Sequence, residues 1–160
     1  MSIIRKLNKL GKEVIKKYPY LNHGGCCVYA ALVAEALLLH KINCNGIVAS
    51  DRVKRTDATI DTARQNVKRN ALHEWQDNGI SFSHIGLEFE HNGVKRHYDT
   101  SGVKRAGKSF DYMPIYQGRL NIVELQKLAG RKAGWNESFN RRYISAIRRI
   151  VQEHLAVDNN

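Results

Sequence analysis

Residues 80–100 read ISFSHIGLEFEHNGVKRHYDT. Apolar and polar residues alternate from Ile80 to His91, the chain meets Asn92-Gly93, and Val94 to Thr100 returns. Alternation broken by a two-residue Asn-Gly step is the pattern of a β-hairpin with a tight primed turn. That turn sets a register: His91 opposite Val94, Glu88 opposite His97, Leu87 opposite Tyr98 and Gly86 opposite Asp99. Residues directly opposite share a face. One face then carries Ile85, Leu87, Phe89 and Tyr98, the apolar side expected to meet a core. The other carries His84, Gly86, Glu88, His97 and Asp99. On it His84 and Asp99 are diagonal neighbours, about 7–8 Å apart between backbones. Gly86 puts no side chain between them. A carboxylate so placed can hold an imidazole's tautomer and orientation.

Helical patterns flank the hairpin. Ile3, Leu7, Leu10 and Val14 recur at helical spacing over residues 3–17, with lysines on the other face. Tyr18-Pro19 ends that helix. Cys26 to His40 is almost continuously apolar, which reads as a buried central helix entered from Gly24-Gly25. Ile47 to Val53 is expected as a strand. Asp57 or Thr59 would cap a third helix running to about Asp77, ended by Asn78-Gly79. Residues 101–120, rich in Gly and Lys and containing Pro114, read as a long loop. Helices are expected over about 121–129 and 137–155. Helices first, then a hairpin-rich antiparallel sheet, then helices is an α+β order, distinct from βαβ alternation. The 160 residues fit one domain, 1–160.

The chain has no run of about 18 apolar residues, so no membrane span is expected. Its start is amphipathic and lacks the apolar region of a secretory signal, and a cytoplasmic location is expected. The three cysteines, Cys26, Cys27 and Cys44, are odd in number and two are adjacent, a poor disulfide framework. With no Cys-x-x-Cys and no His pair at helical spacing, neither metal nor other cofactor is expected. The formal charge is +11. Such a surface attracts polyanions, and the class of partner it would take is a nucleic acid or an acidic protein. No aromatic RNA-binding signature accompanies the basic residues, so a solvated basic face is the default reading and the polyanion partner the alternative.

A thiol attacks as the thiolate, and a helix N-terminus favours that form. Cys26 stands where the central helix begins, and Gly24 and Gly25 let the backbone turn and a substrate approach. A buried structural cysteine is the alternative reading. The run Gly24-Gly25-Cys26-Cys27-Val28-Tyr29-Ala30 resembles the nucleophile segment of papain-like and transglutaminase-like proteins. There a Gly-x-Cys opens the central helix, with an aromatic three residues on and a small residue four on. The segments around His84 and Asp99-Thr100 resemble that superfamily's His and Asp strands, in the same order. The resemblance covers roughly residues 20–102. It implies a triad: Cys26 as nucleophile, His84 as general base and then acid, Asp99 as orienting group.

There are departures. The oxyanion Gln six residues before the nucleophile is Tyr20 here, so Asn22 is taken as the substitute donor beside the Cys26 backbone N–H. The aromatic that usually follows the nucleophile is Cys27. The Gly-Gly-x-Cys start of arylamine acetyltransferases would select Cys27 instead. His23 and Gly25 are expected to line the cleft, and His97 is the strongest rival to His84. His40, His73, His91 and His154 rank lower, and Cys44 is expected to pack near the strand at 47–53. The expected activity is that of a cysteine peptidase or amidase cleaving an amide, peptide or isopeptide bond in a protein or peptide. Acyl transfer to an amine, as in transglutaminases, and a non-catalytic basic binding module are the alternatives.

Overall fold

The computed structural model describes residues 1–19, 21, 25–50, 84–106, 116–132 and 141–157. The chain is α+β. Four helices are described: α1 (Ile3–Lys17), α2 (Cys26–Leu39), α3 (Ile122–Lys132) and α4 (Arg141–His154). They accompany an antiparallel sheet of β1 (Cys44–Ser50), β2 (His84–His91), β3 (Val94–Asp99), β4 (Gly102–Arg105) and β5 (Tyr116–Leu120), in the order β4-β3-β2-β1-β5.

The hairpin forms with the expected register from His91↔Val94 through Glu88↔His97 to Leu87↔Tyr98. Asn92 and Gly93 both take positive φ, 52° and 70°, the backbone that a primed two-residue turn requires. β1 pairs with β2 on the hairpin's other side, with Ile47 opposite Gly86 and Val48 opposite Ile85.

The core lies on the apolar face. Ile85, Leu87, Phe89 and Tyr98 from the hairpin join Val48 and Leu120 there. α2 covers them, and every residue from Cys26 to Ala34 is buried, as an all-apolar helix must be. α1 buries Leu7, Leu10 and Val14 completely. α3 opens on a reciprocal capping box: Glu124 N–H donates to Asn121 Oδ1 at 2.9 Å, and Asn121 N–H donates to Glu124 Oε2 at 2.8 Å. Lys6 Nζ and His40 Nε2 donate to the carbonyls of Ala156 and Leu155, fastening the chain after α4.

Two expectations are corrected. β1 begins at Cys44 rather than Ile47, because Cys44 and Asn45 already pair with Phe89 and Glu88. Residues 101–120 are not one long loop, since they contain β4 and β5. Both are the sheet's outer strands, and outer strands carry the charges and glycines that make a sequence read as loop. Residues 51–53, the helix expected to run to about Asp77, residues 80–83 of the hairpin pattern and residues 137–140 lie outside the described residues.

The turn from β3 to β4 is held by α1. Gly102 has φ of +106°, and Val103 N–H donates to Asn8 Oδ1 at 2.7 Å. Gly11 lies against the same turn: a Cβ there would stand 2.8 Å from the Thr100 carbonyl oxygen. A side chain at position 11 would displace the backbone next to Asp99.

Candidate active site

His84 opens β2 and Asp99 closes β3, on adjacent strands and the same face. The diagonal relation lets the side chains meet. His84 Nε2 donates to Asp99 Oδ2 at 2.9 Å, and both residues are buried. The other carboxylate oxygen, Oδ1, accepts from the Ser101 N–H at 2.8 Å and from the Ser101 hydroxyl. Asp99 is therefore fixed from both ends. Burial disfavours its charge, but the bonds from His84 and Ser101 outweigh that and hold its carboxyl below the usual range.

Cys26 opens α2, after Gly25 in a helical conformation with no side-chain cap on the helix. Its thiol lies near enough to the His84 imidazole to raise that ring's pKa. Burial would lower the pKa of His84. Its bonds to Asp99 and Cys26 and the charges of both prevail, and the imidazole is pushed up to about 9. The contact joins the first residue of a helix to the first residue of a strand, so both side chains project from element ends.

The remaining candidates separate. Cys26 and Cys27 are both buried with the core, and it is the Cys26 thiol that raises the His84 pKa. Cys44 packs with its sulfur 4.0 Å from the Ala34 carbonyl, and burial pushes its thiol up to about 11. His97 belongs to a second cluster on the same face. Its Nε2 donates to Glu88 Oε2 at 3.0 Å, while Arg119 Nε donates to Glu88 Oε1 at 2.7 Å. The Arg119 bond, against the effect of burial and with help from His97, brings the Glu88 carboxyl down to about 2. His40 and His154 serve the packing of α4, His154 through Glu13 at 3.1 Å. Asn22, His23 and His73 lie outside the described residues.

Three contributors were not singled out in the sequence. Ser101 had a signal, an Asp followed two residues later by a Ser, a spacing at which the hydroxyl and amide can return to the carboxylate. Arg119 had none, because it fell in a stretch that read as loop. The tyrosine pair had half a signal: Tyr29 and Tyr98 share a hydroxyl–hydroxyl bond, and Tyr98 also donates to the Leu7 carbonyl at 3.1 Å. The pair links α2, one turn past Cys26, to β3 beside Asp99 and to α1.

Among the described residues no group of three or more His, Cys, Asp and Glu side chains is placed to hold a metal ion, and no helix is long and apolar enough to cross a membrane. Comparison with protein families, curated proteins and solved structures finds no significant match to this chain.

Proposed function

We propose that the chain is a thiol hydrolase of the papain-like and transglutaminase-like kind, cleaving an amide, peptide or isopeptide bond in a protein or peptide. One observation carries this reading: a buried imidazole bonded to a carboxylate at 2.9 Å, with a thiol at a helix start close enough to raise its pKa. Buried His–Asp pairs alone are common structural devices. The neighbouring thiol gives the pair a chemical use.

In the proposed reaction His84, as general base, takes the Cys26 proton, and the thiolate attacks the carbonyl carbon of the scissile bond. The oxygen of the tetrahedral intermediate is held by the Cys26 backbone N–H at the start of α2, with Asn22 as second donor. His84 passes its proton to the leaving amine, and a thioester to Cys26 remains. Water, deprotonated by His84, releases the acid and restores the thiol. Asp99 keeps the ring aligned through both steps. None of the three cysteines forms a disulfide, which suits a reducing compartment such as the cytoplasm.

Alkylation with iodoacetamide at pH 6, with the label located by mass spectrometry, tests the reading. Cys26 is expected to react first, with Cys27 and Cys44 spared, and His84→Ala is expected to abolish the preference. Equal, slow labelling of all three cysteines in the wild type refutes it.

A further inference from the structure

The outer side of α1 carries a feature that the thiol chemistry does not use. Arg5, Lys9, Lys12 and Lys16 are all exposed. Their spacings of four, three and four residues keep them on one side of a helix. They form a single row about 16 Å long at 1.5 Å per residue. None of the four takes part in an ion pair among the described residues. Glu13, the acidic residue of the same helix, is engaged by His154 of α4.

This arrangement works against the helix that carries it. Three successive like-charge neighbours, 5 with 9, 9 with 12 and 12 with 16, repel one another. The first turn of α1 holds no acidic residue, and Arg5 stands near the positive end of the helix dipole. Glu13, one turn from Lys9 and Lys16 but shared with His154, and the C-terminal end of the dipole at Lys16 offset these repulsions only in part, whereas a linear polyanion laid along the row would offset all of them.

We propose that this face of α1 binds the phosphodiester backbone of a nucleic-acid duplex, without reading its sequence. The apolar residues Leu7, Leu10 and Val14 are wholly buried against the protein, so the middle of α1 has no apolar side left to enter a lipid layer. No aromatic residue lies in the row to stack on unpaired bases, as single-strand binders require. The row also lacks the apolar or aromatic anchor that concentrates affinity in a protein–protein interface. What remains is a line of long, flexible cations, the chemistry of phosphate contact.

The test is fluorescence anisotropy of labelled 20-base-pair DNA and RNA duplexes, titrated with the full chain at several salt concentrations. If all four cations contact phosphates, log K should fall against log salt with a slope of about −3.6, from roughly 0.9 per contact. The triple variant Lys9→Gln/Lys12→Gln/Lys16→Gln should flatten that slope to about −0.9 by the same relation and should melt no lower than wild type. Lys127→Gln, an exposed cation on α3, should leave the slope unchanged. Whichever duplex binds more tightly identifies the source of the phosphates. The proposal is overturned by a flat salt response, or by a triple variant that keeps the wild-type slope. It is also overturned if single-stranded DNA, polyglutamate or phosphatidylserine vesicles bind more tightly than both duplexes at equal salt. None of these outcomes depends on the reactivity of Cys26, so this inference and the thiol reading stand or fall separately.

Discussion

Gly11→Ala places one methyl group on a helix remote in sequence from every residue of the candidate site, and it should nonetheless impair the thiol. The new Cβ would stand 2.8 Å from the Thr100 oxygen and 3.2 Å from its carbonyl carbon. Carbon–oxygen contacts normally lie at about 3.3–3.6 Å, so the turn must retreat by roughly 0.5 Å or more. Both contacts are backbone atoms, and no side-chain rotation relieves them. Thr100 lies between Asp99 and Ser101, so the retreat acts directly on the carboxylate that holds His84. In stability the change is partly compensated: overpacking costs about 1–3 kcal/mol, while replacing a mid-helix glycine by alanine returns up to about 1 kcal/mol. In reactivity there is no compensation. A misplacement of about 1 Å can cost on the order of a hundredfold, so a shift half as large should slow alkylation of Cys26 about tenfold. The assay is the rate of iodoacetamide labelling at pH 6 beside a thermal melt. Asn8→Ala, which removes the acceptor for the Val103 N–H, should act in the same direction. If Gly11→Ala folds and labels within twofold of wild type, α1 does not position Asp99 and this reasoning fails.

Three further outcomes are expected. The His84 ring, followed by NMR, should titrate near 9, and both Asp99→Asn and Cys26→Ala should lower the midpoint, since each removes a partner that raises it. Because the folded value lies above the ordinary 6.5, the associated stability is complete below about 6.5 and is lost as pH rises through 9. The wild type should therefore lose more melting temperature than Asp99→Asn between those limits. Glu88 behaves oppositely: its carboxyl is held at about 2, so its contribution is present above about 4.5 and lost as pH falls toward 2. Glu88→Gln should flatten the acid side of the stability profile, and an unchanged acid side would show that the His97–Glu88–Arg119 cluster contributes nothing. Tyr29→Phe removes one buried hydroxyl bond while Tyr98 keeps the Leu7 carbonyl. It should cost about 1 kcal/mol in a denaturant titration.

The hairpin was legible because each of its determinants is local. Asn92-Gly93 specifies the turn, the turn specifies the register, and the register places His84 beside Asp99. α2 was legible because a helix with no polar side must be buried. β4 and β5 were illegible for the complementary reason. As outer strands they need only one pairing edge, and that pairing depends on β3 and β1, which are distant from them in composition and, for β5 and β1, in sequence. Arg119 and its bond to Glu88 went unseen with them. The role of Gly11 was equally hidden, since a glycine inside a helical pattern shows only a weaker helix. Its reason is the Thr100 backbone against which it packs.

These differences in legibility follow the way the candidate site is assembled. His84 and Asp99 are 15 residues apart, and one turn determines their relation. Cys26 reaches His84 only if α2 docks on the sheet at the right height, which no local signal specifies. The tyrosine chain is suited to setting that height. Tyr29 lies one helical turn after Cys26, Tyr98 immediately precedes Asp99, and their hydroxyl bond, continued to the Leu7 carbonyl, ties α2, β3 and α1 at a single buried point. A shift of α2 along its axis would have to break that bond before it could separate the thiol from the imidazole. Changes at this point should therefore alter the Cys26–His84 contact while leaving the His84–Asp99 bond in place, whereas Gly11→Ala disturbs Asp99 first. The two classes of variant separate the docking of the helix from the orientation of the ring.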